Sequence, residues 1–230
     1  MKSEFDQYRN NYVDVLQKAF VIPGMKPEFF LKIKADHILS TTQRIIGPSS
    51  DLNILDVGCG AGIIEIFLVD HYRKITAIDV SGELLESARK MVANVDFQFY
   101  DGKKMPFSDN SFDLVFSICV FHHIDHEHRL ILLNEMKRVV RPGGCVAIYE
   151  HNPINPLTRR TVANCEFDKN ALLIGSNQLR TLLKSCGLSK VYKGYIIFFP
   201  FTGRFFRRIE KWLAPLPLGA QFTMWARYDL

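Results

Sequence analysis

Between residues 53 and 150 the chain changes rhythm at regular intervals, and this alternation constrains its fold more than any other feature. Short runs rich in β-branched, aliphatic and aromatic residues, at 53–57, 75–79, 95–100, 112–118 and 145–150, alternate with helix-patterned stretches near 61–71, 82–92 and 126–140. Strands separated by helices cannot pair as tight hairpins. Each connection must cross over, which predicts an α/β chain with a mostly parallel sheet and helices on both faces. Ahead of this core, Phe5, Tyr8, Tyr12, Val15, Leu16 and Ala19 recur at helical spacing behind a capping Ser3, and Pro23-Gly24 ends the pattern. A second helix is expected over 27–46, opened by a proline and stopped at Gly47-Pro48. After Glu150 come a proline-marked loop, a helix near 176–186, and strands near 188–199 and 220–228. These elements read as one domain: a helical cap over 1–48, a ligand-binding core over 49–153, and C-terminal elements over 154–230.

The most informative stretch is LDVGCGAG at 55–62, placed where a strand gives way to a helical pattern. Glycines there let the backbone turn sharply and let a ligand approach with no Cβ between them. The run reads G-x-G-x-G, and Ile63 stands where the dinucleotide fingerprint G-x-G-x-x-G/A has its last small residue. That spacing argues against a pyrophosphate site and so against a nicotinamide-dependent oxidoreductase. Asp79 ends the second strand, 21 residues after Gly58, where a carboxylate can accept both hydroxyls of a ribose. Asp101, followed by Gly102, ends the third. Ligands of open α/β sheets bind outside the carboxyl ends of the strands, which gathers Asp56, Asp79, Asp101 and Cys119 around one crevice.

These stretches resemble class I methyltransferases dependent on S-adenosylmethionine (SAM). The matching segments are LDVGCGAG at 55–62, ITAIDVSGELLESAR at 75–89, FYDGKKMPFSDNSFDLVFSICVFHHI at 99–124 and MKRVVRPGGCVAIYEHNP at 136–153. The resemblance implies a Rossmann-like, seven-stranded sheet whose last strand, near 220–228, is antiparallel. It implies that Asp56, Gly58, Cys59, Gly60 and Gly62 form the loop beside the methionine part of SAM. Asp79 then holds the ribose, Val80 packs on the adenine, and Asp101 and Gly102 read its edge. Ile118 or Cys119 offers a backbone carbonyl to the ammonium, and His122 lies beside the cofactor. The family's helical cap puts Tyr8 and Tyr12 over the methionine end. FDQYRNNYVDVL, EHNPINPLTRR and LPLGAQF further resemble a bacterial subgroup found with cell-envelope and glycan biosynthesis enzymes, which implies a small-molecule, glycan or lipid-linked acceptor. Family members that methylate amino groups of DNA carry [DNS]-P-P-[YF] after the fourth strand. Ser117-Ile118-Cys119-Val120 stands there instead, so no nucleic-acid acceptor is expected.

Methyl transfer from a sulfonium needs alignment and exclusion of water, and a general base only where the acceptor must lose a proton. His123, after the fourth strand, and His151, after the fifth, are the candidate bases for an oxygen acceptor. The run FHHIDHEH sets His122 and His126 four apart, a spacing that suits two metal ligands on one helix. No ordered carboxylate or cysteine partner accompanies them in the sequence, and no metal is expected. A SAM-binding partner protein without an acceptor site remains an alternative at this level.

Five cysteines without CxxC spacing argue against a disulfide framework and fit a reducing, cytoplasmic compartment. The N-terminal MKSEFDQYRN has no apolar h-region, which predicts no secretory signal. The formal net charge of +5 is matched by 189–213 alone, with six basic residues against Glu210. Within it, 203–213 sets Phe205, Phe206, Ile209, Trp212 and Leu213 on one helical face and Arg204, Arg207, Arg208 and Lys211 on another. That pattern suits peripheral contact with the inner face of a membrane, and equally a helix packed on the sheet with a solvated basic face.

Overall fold

Seven strands alternate side chains between two apolar faces of a single sheet. In the computed structural model, which describes residues 3–22, 25–200 and 203–229 without the side chains of Arg204 and Arg207, these are β1 (Asn53–Val57), β2 (Lys74–Asp79), β3 (Val95–Phe99), β4 (Phe112–Ile118), β5 (Val140–His151), β6 (Ser189–Ile196) and β7 (Gln221–Arg227). Their order is β3-β2-β1-β4-β5-β7-β6. The first five are parallel, and β7 runs antiparallel to both neighbours. This is the Rossmann-like sheet that the resemblance implies.

Period two explains why it is covered on both sides. Leu55, Val115, Val146, Ile148, Phe222 and Met224 face a core completed by α4 (His126–Val139) and α6 (Ser176–Ser185). Ile54, Leu114, Phe116, Ala147, Tyr149 and Trp225 face the opposite core, where α2 (Pro27–Ile45) supplies Ala35 and Ile38. The third helix, α3 (Gly82–Met91), starts where the Ser81 hydroxyl accepts the Leu84 N–H, and it packs Leu85 and Ala88 on Ala77 and Phe97. Strand order reverses between β2-β1 and β4-β5, which opens the crevice at the strand ends where the glycine loop leaves β1.

Three expectations are corrected. The helix expected over 61–71 is a chain of turns around a single 3₁₀ turn at Glu65–Phe67. Gly58, Gly60 and Gly62 all take positive φ, so the chain cannot enter a right-handed helix before Ile63, and β-branched Ile63, Ile64 and Ile66 disfavour one afterwards. The helix expected over 3–20 is split. Ser3 does cap its start, through a capping box with Asp6, but Glu4–Tyr8 is 3₁₀ and α1 (Tyr12–Ala19) begins after the turn at Asn10-Asn11. The Pro23-Gly24 break lies outside the described residues. The loop expected after β5 contains α5 (Pro156–Asn164): Asn155 accepts the Thr158 N–H and Pro156 takes the first helical position, a start signal hidden among other prolines. The basic segment forms α7 (Arg204–Leu213).

Candidate functional site

The glycine loop is held open by its own backbone. The N–H groups of Gly58 and Cys59 donate to the Ile78 carbonyl at 2.8 and 3.1 Å, and the Gly60 N–H donates to Asp79 Oδ2 at 2.8 Å. Asp79 Oδ1 accepts the Ser81 N–H at 2.8 Å, so this carboxylate ties the loop to the end of β2. Burial pushes the Asp79 carboxyl above its ordinary range, and the backbone donors only partly offset this. A Cβ on Gly58 meets Val120 at 2.4 Å, and one on Gly60 meets the Tyr12 hydroxyl at 2.9 Å. The loop is therefore pressed between the exit of β4 and the cap helix α1.

Beneath the loop, Asp56 and Glu65 are both buried. Asp56 Oδ1 and both Glu65 oxygens find no donor outside the pair among the described residues. Burial, and then the charge of Glu65, hold Asp56 well above the usual carboxylate range, and burial raises Glu65 as well. Of the two, Asp56 lines the cavity and Glu65 does not, so Glu65 backs the loop from behind. Glu65 was not anticipated from sequence, because it falls in the stretch misread as helix.

The second half of the site is a histidine cluster. His122 is buried, with Nδ1 2.7 Å from Glu150 Oε2 and Nε2 3.1 Å from Asp168 Oδ1. Burial presses its pKa down, but the two carboxylates outweigh burial and raise it to about 10. It is a doubly paired imidazolium at neutral pH. The other Glu150 oxygen accepts the Phe121 N–H at 2.8 Å. His123 Nε2 lies 3.3 Å from Asp168 Oδ1, and the His151 ring centroid is 4.9 Å from that of His122. Burial and then the positive charge of His122 lower both His123 and His151 to about 4, so both are neutral at pH 7. The donor atoms of His122, His123 and Asp168 lie within 4.8 Å of one another. His122 and His126 do not share a helix, since His122 sits on the 3₁₀ turn Phe121–His123 and His126 begins α4.

Buried Arg129 fixes this turn: its Nε donates to the carbonyls of Phe121 and Ile124, both at 2.9 Å, and its guanidinium also bonds the Leu172 carbonyl. Cys119 takes φ 57° at the end of β4, a left-handed conformation that is strained for a non-glycine residue. Lys34 Nζ, from α2, lies 3.7 Å from its sulfur.

Both halves open into one cavity of about 590 Å³. Asp56, Gly58, Cys59, Gly60, Asp79, Val80, Gly102, Ile118, Cys119, His122, His123, His151 and Tyr12 all line it. Three expected residues do not. Gly62 packs against α3 and β3, where a Cβ meets Ala88 at 2.7 Å. Asp101 is exposed, and its Oδ1 accepts the N–H groups of Lys103 and Lys104. Tyr8 reaches the site only through Phe167, its ring 4.5 Å away. Lys34, Tyr100, Phe167 and Asp168 line the cavity and were missed. A lysine on a cap helix reads as a solvated one, and Asp168 reaches His122 across 46 residues of sequence. The rest of the wall is mostly apolar, with Leu16, Phe20, Phe30, Leu31, Ile197 and Phe198, but it also carries Glu4, His128, Asn155, Thr161 and Gln221.

Residues 54–144 match the Methyltransferase domain family. An O-methyltransferase of Aspergillus sclerotiorum is 30% identical over 155 residues, covering 63% of this chain and 58% of that protein. A sterol 4-C-methyltransferase of Caenorhabditis elegans is 26% identical over 65% of this chain and 44% of its own length. The chain thus spans about half the length of these curated relatives. A crystal structure of a SAM-dependent methyltransferase from Thermotoga maritima, described as a possible histamine N-methyltransferase, shares the fold. Its TM-score is 0.68 at 20% identity, and the likeness covers 98% of both chains.

Proposed function

We propose that this chain, whose core is a class I SAM-dependent methyltransferase domain, transfers a methyl group to an oxygen of a small, largely apolar acceptor. The observation that carries this reading is one cavity with two chemically different halves: a glycine-rich loop beside the buried carboxyl groups of Asp56 and Asp79, and a cluster of neutral histidines around an imidazolium. Asp56 and Asp79 put two carboxyl groups on the cavity wall beside the loop, which suits a ligand with ribose hydroxyls and cationic groups such as SAM.

When bound, SAM supplies a methyl group already activated by its sulfonium. In this proposal Asp79 accepts the ribose hydroxyls, Val80 and Gly102 border the adenine, and the backbone at Ile118 and Cys119 meets the ammonium. Lys34 answers the carboxylate, and Tyr12 closes the loop from above. His151 takes the proton from the acceptor hydroxyl as that oxygen attacks. His123 faces Asp168 and is the weaker candidate for the base, so its role is to hold that carboxylate against His122. Burial, and then the positive charge of His122, keep His151 unprotonated at neutral pH. The mostly apolar wall excludes water and selects the acceptor.

The O-methyltransferase among the relatives supports oxygen as the acceptor atom, and the sterol enzyme supports an apolar substrate. A lipid-linked acceptor, with 203–213 against a membrane surface, is the finer form of this proposal, ahead of a free glycan, because the wall is mostly apolar. The test is an acceptor screen with methyl-labelled SAM, products being identified by mass spectrometry. Label appearing on a hydroxyl-bearing apolar compound supports the reading. Label only on nitrogen or nucleic acid, or no turnover with any pool, overturns it.

A further inference from the structure

The most exposed large apolar residues of the second half of the chain are gathered at one place. Ile154 is 64% exposed and Leu157 55%, at the start of α5; Leu218 is 64% exposed in the turn after α7; Trp212 and Phe205, on α7, are 86% and 69% exposed. The segments carrying them are stitched together. Asn155 Nδ2 donates to the Leu218 carbonyl at 2.7 Å, Asn152 Nδ2 donates to the carbonyls of Pro217 and Gly219 at 3.0 and 2.8 Å, and the Thr158 hydroxyl donates to the Ala220 carbonyl at 2.8 Å. Helix α7 borders the cavity, tied to the segment after β6. Glu210 Oε1 accepts the N–H groups of Phe198 and Phe199 at 2.9 and 3.1 Å, and both of those residues line the cavity. Leu157 lines the cavity and is also exposed, so the apolar surface reaches the cavity mouth.

The exposed charge on the two helices has one sign among the described residues. Arg159 and Arg160 on α5 and Arg208 and Lys211 on α7 are exposed, whereas Glu210, the one acid in either helix, is buried. Scattered surface hydrophobics are ordinary, but a joined group flanked by basic residues marks an interaction site. A projecting tryptophan, aliphatic side chains at turns and unneutralised basic residues complement a bilayer interface with anionic headgroups.

We infer that α5, α7 and the turn at 214–219 form a surface that docks on an anionic phospholipid bilayer, and that the cavity takes its acceptor from that bilayer through the mouth beside Leu157. The acceptor is then a membrane-resident lipid or lipid-linked molecule. This second half rests on the methyltransferase reading; the docking does not.

The chain offers its own probe. It has two tryptophans, and Trp225 is only 2% exposed, so a change in emission on adding vesicles reports Trp212. The expected result with phosphatidylglycerol-containing vesicles at low salt is co-sedimentation and a blue shift, both weakened by added salt. Arg208→Glu with Lys211→Glu is expected to lower vesicle affinity roughly 25-fold or more, at about fivefold for each basic charge. Unshifted emission with the protein left in the supernatant overturns the docking. So does equal binding to neutral phosphatidylcholine vesicles that charge reversal leaves unchanged. A shift that appears with protein concentration alone, without vesicles, assigns the surface to a second copy of the chain and also overturns it. Calorimetry with SAM on the same preparation keeps the two readings apart: SAM binding without vesicle binding removes this inference and leaves the methyltransferase reading, whereas vesicle binding without SAM binding removes the methyltransferase reading and the acceptor source with it, and leaves the docking. Label from methyl-labelled SAM appearing in a lipid extract supports the acceptor source, and label confined to a water-soluble extract overturns it.

Discussion

The two halves of the cavity reach comparable order by different routes. The loop half is built close to home. Gly60 and Asp79 are 19 residues apart, and Asp56 and Glu65 lie on one strand-loop-turn unit. Its key groups are backbone N–H donors and carboxylates fixed by one strand end. The histidine half is assembled from afar: His122 meets Glu150 across 28 residues and Asp168 across 46. The loop half depends on local geometry, which few substitutions outside it disturb. The histidine half depends on a buried charge balance among three elements, so losing one partner strands the others.

Glu150→Ala is expected to break that balance most severely. It leaves the His122 imidazolium half-paired and the Phe121 N–H without its acceptor, at a cost of about 3–5 kcal/mol in urea unfolding. Exposed Asp101→Ala should leave the unfolding midpoint almost unchanged. Similar unfolding midpoints for the two would erase the contrast. His151→Ala separates the halves by function: turnover of an oxygen acceptor should fall about 10²–10⁴-fold while SAM affinity is unchanged. Lost SAM affinity with retained turnover would instead put His151 in the loop half.

The pH dependence of stability sharpens the comparison further. His122, raised to about 10, contributes stability that is full below its unfolded pKa and is lost as pH rises through about 10. His37, His123 and His151, lowered to about 4, contribute in the other direction: their share is present above the unfolded value near 6.5 and lost as pH falls toward 4. Unfolding followed against pH should therefore weaken on both limbs, and His122→Gln should flatten the alkaline one. An alkaline limb unchanged by that substitution would mean that His122 is neutral. The smallest effect is expected at the cavity rim. Asp101→Ala, at an exposed residue outside the cavity lining, should leave SAM affinity nearly unchanged, and a clear loss by calorimetry would move Asp101 into the lining.

This contrast also explains what could be read beforehand. The mostly parallel seven-stranded sheet, the antiparallel β7 and the placing of Asp79 at a strand end follow from period-two runs and from the resemblance of 55–62 and 75–89. Local patterns misled where two conformations share them. Ile63, Ile64 and Leu68 have helical spacing, yet three positive-φ glycines postpone any helix. Asn155-Pro156 starts α5, yet it reads as part of a proline-marked loop. Asp168, Lys34 and Arg129 carry no local signature, because their partners are chosen by the fold. His122 looked like one of several similar histidines until Glu150 and Asp168 were seen on its two nitrogens.

Calorimetric titration of the purified chain with SAM, with NADH as the control, tests the account most directly. A dissociation constant in the micromolar range, about −8 kcal/mol, is predicted for SAM, and no heat is predicted for NADH. Asp79→Ala should weaken SAM binding by about 1.5–3 kcal/mol, the scale of hydrogen bonds to a charged group. NADH binding without SAM binding, or SAM affinity that Asp79→Ala leaves untouched, would contradict the assignment of the loop half to the cofactor.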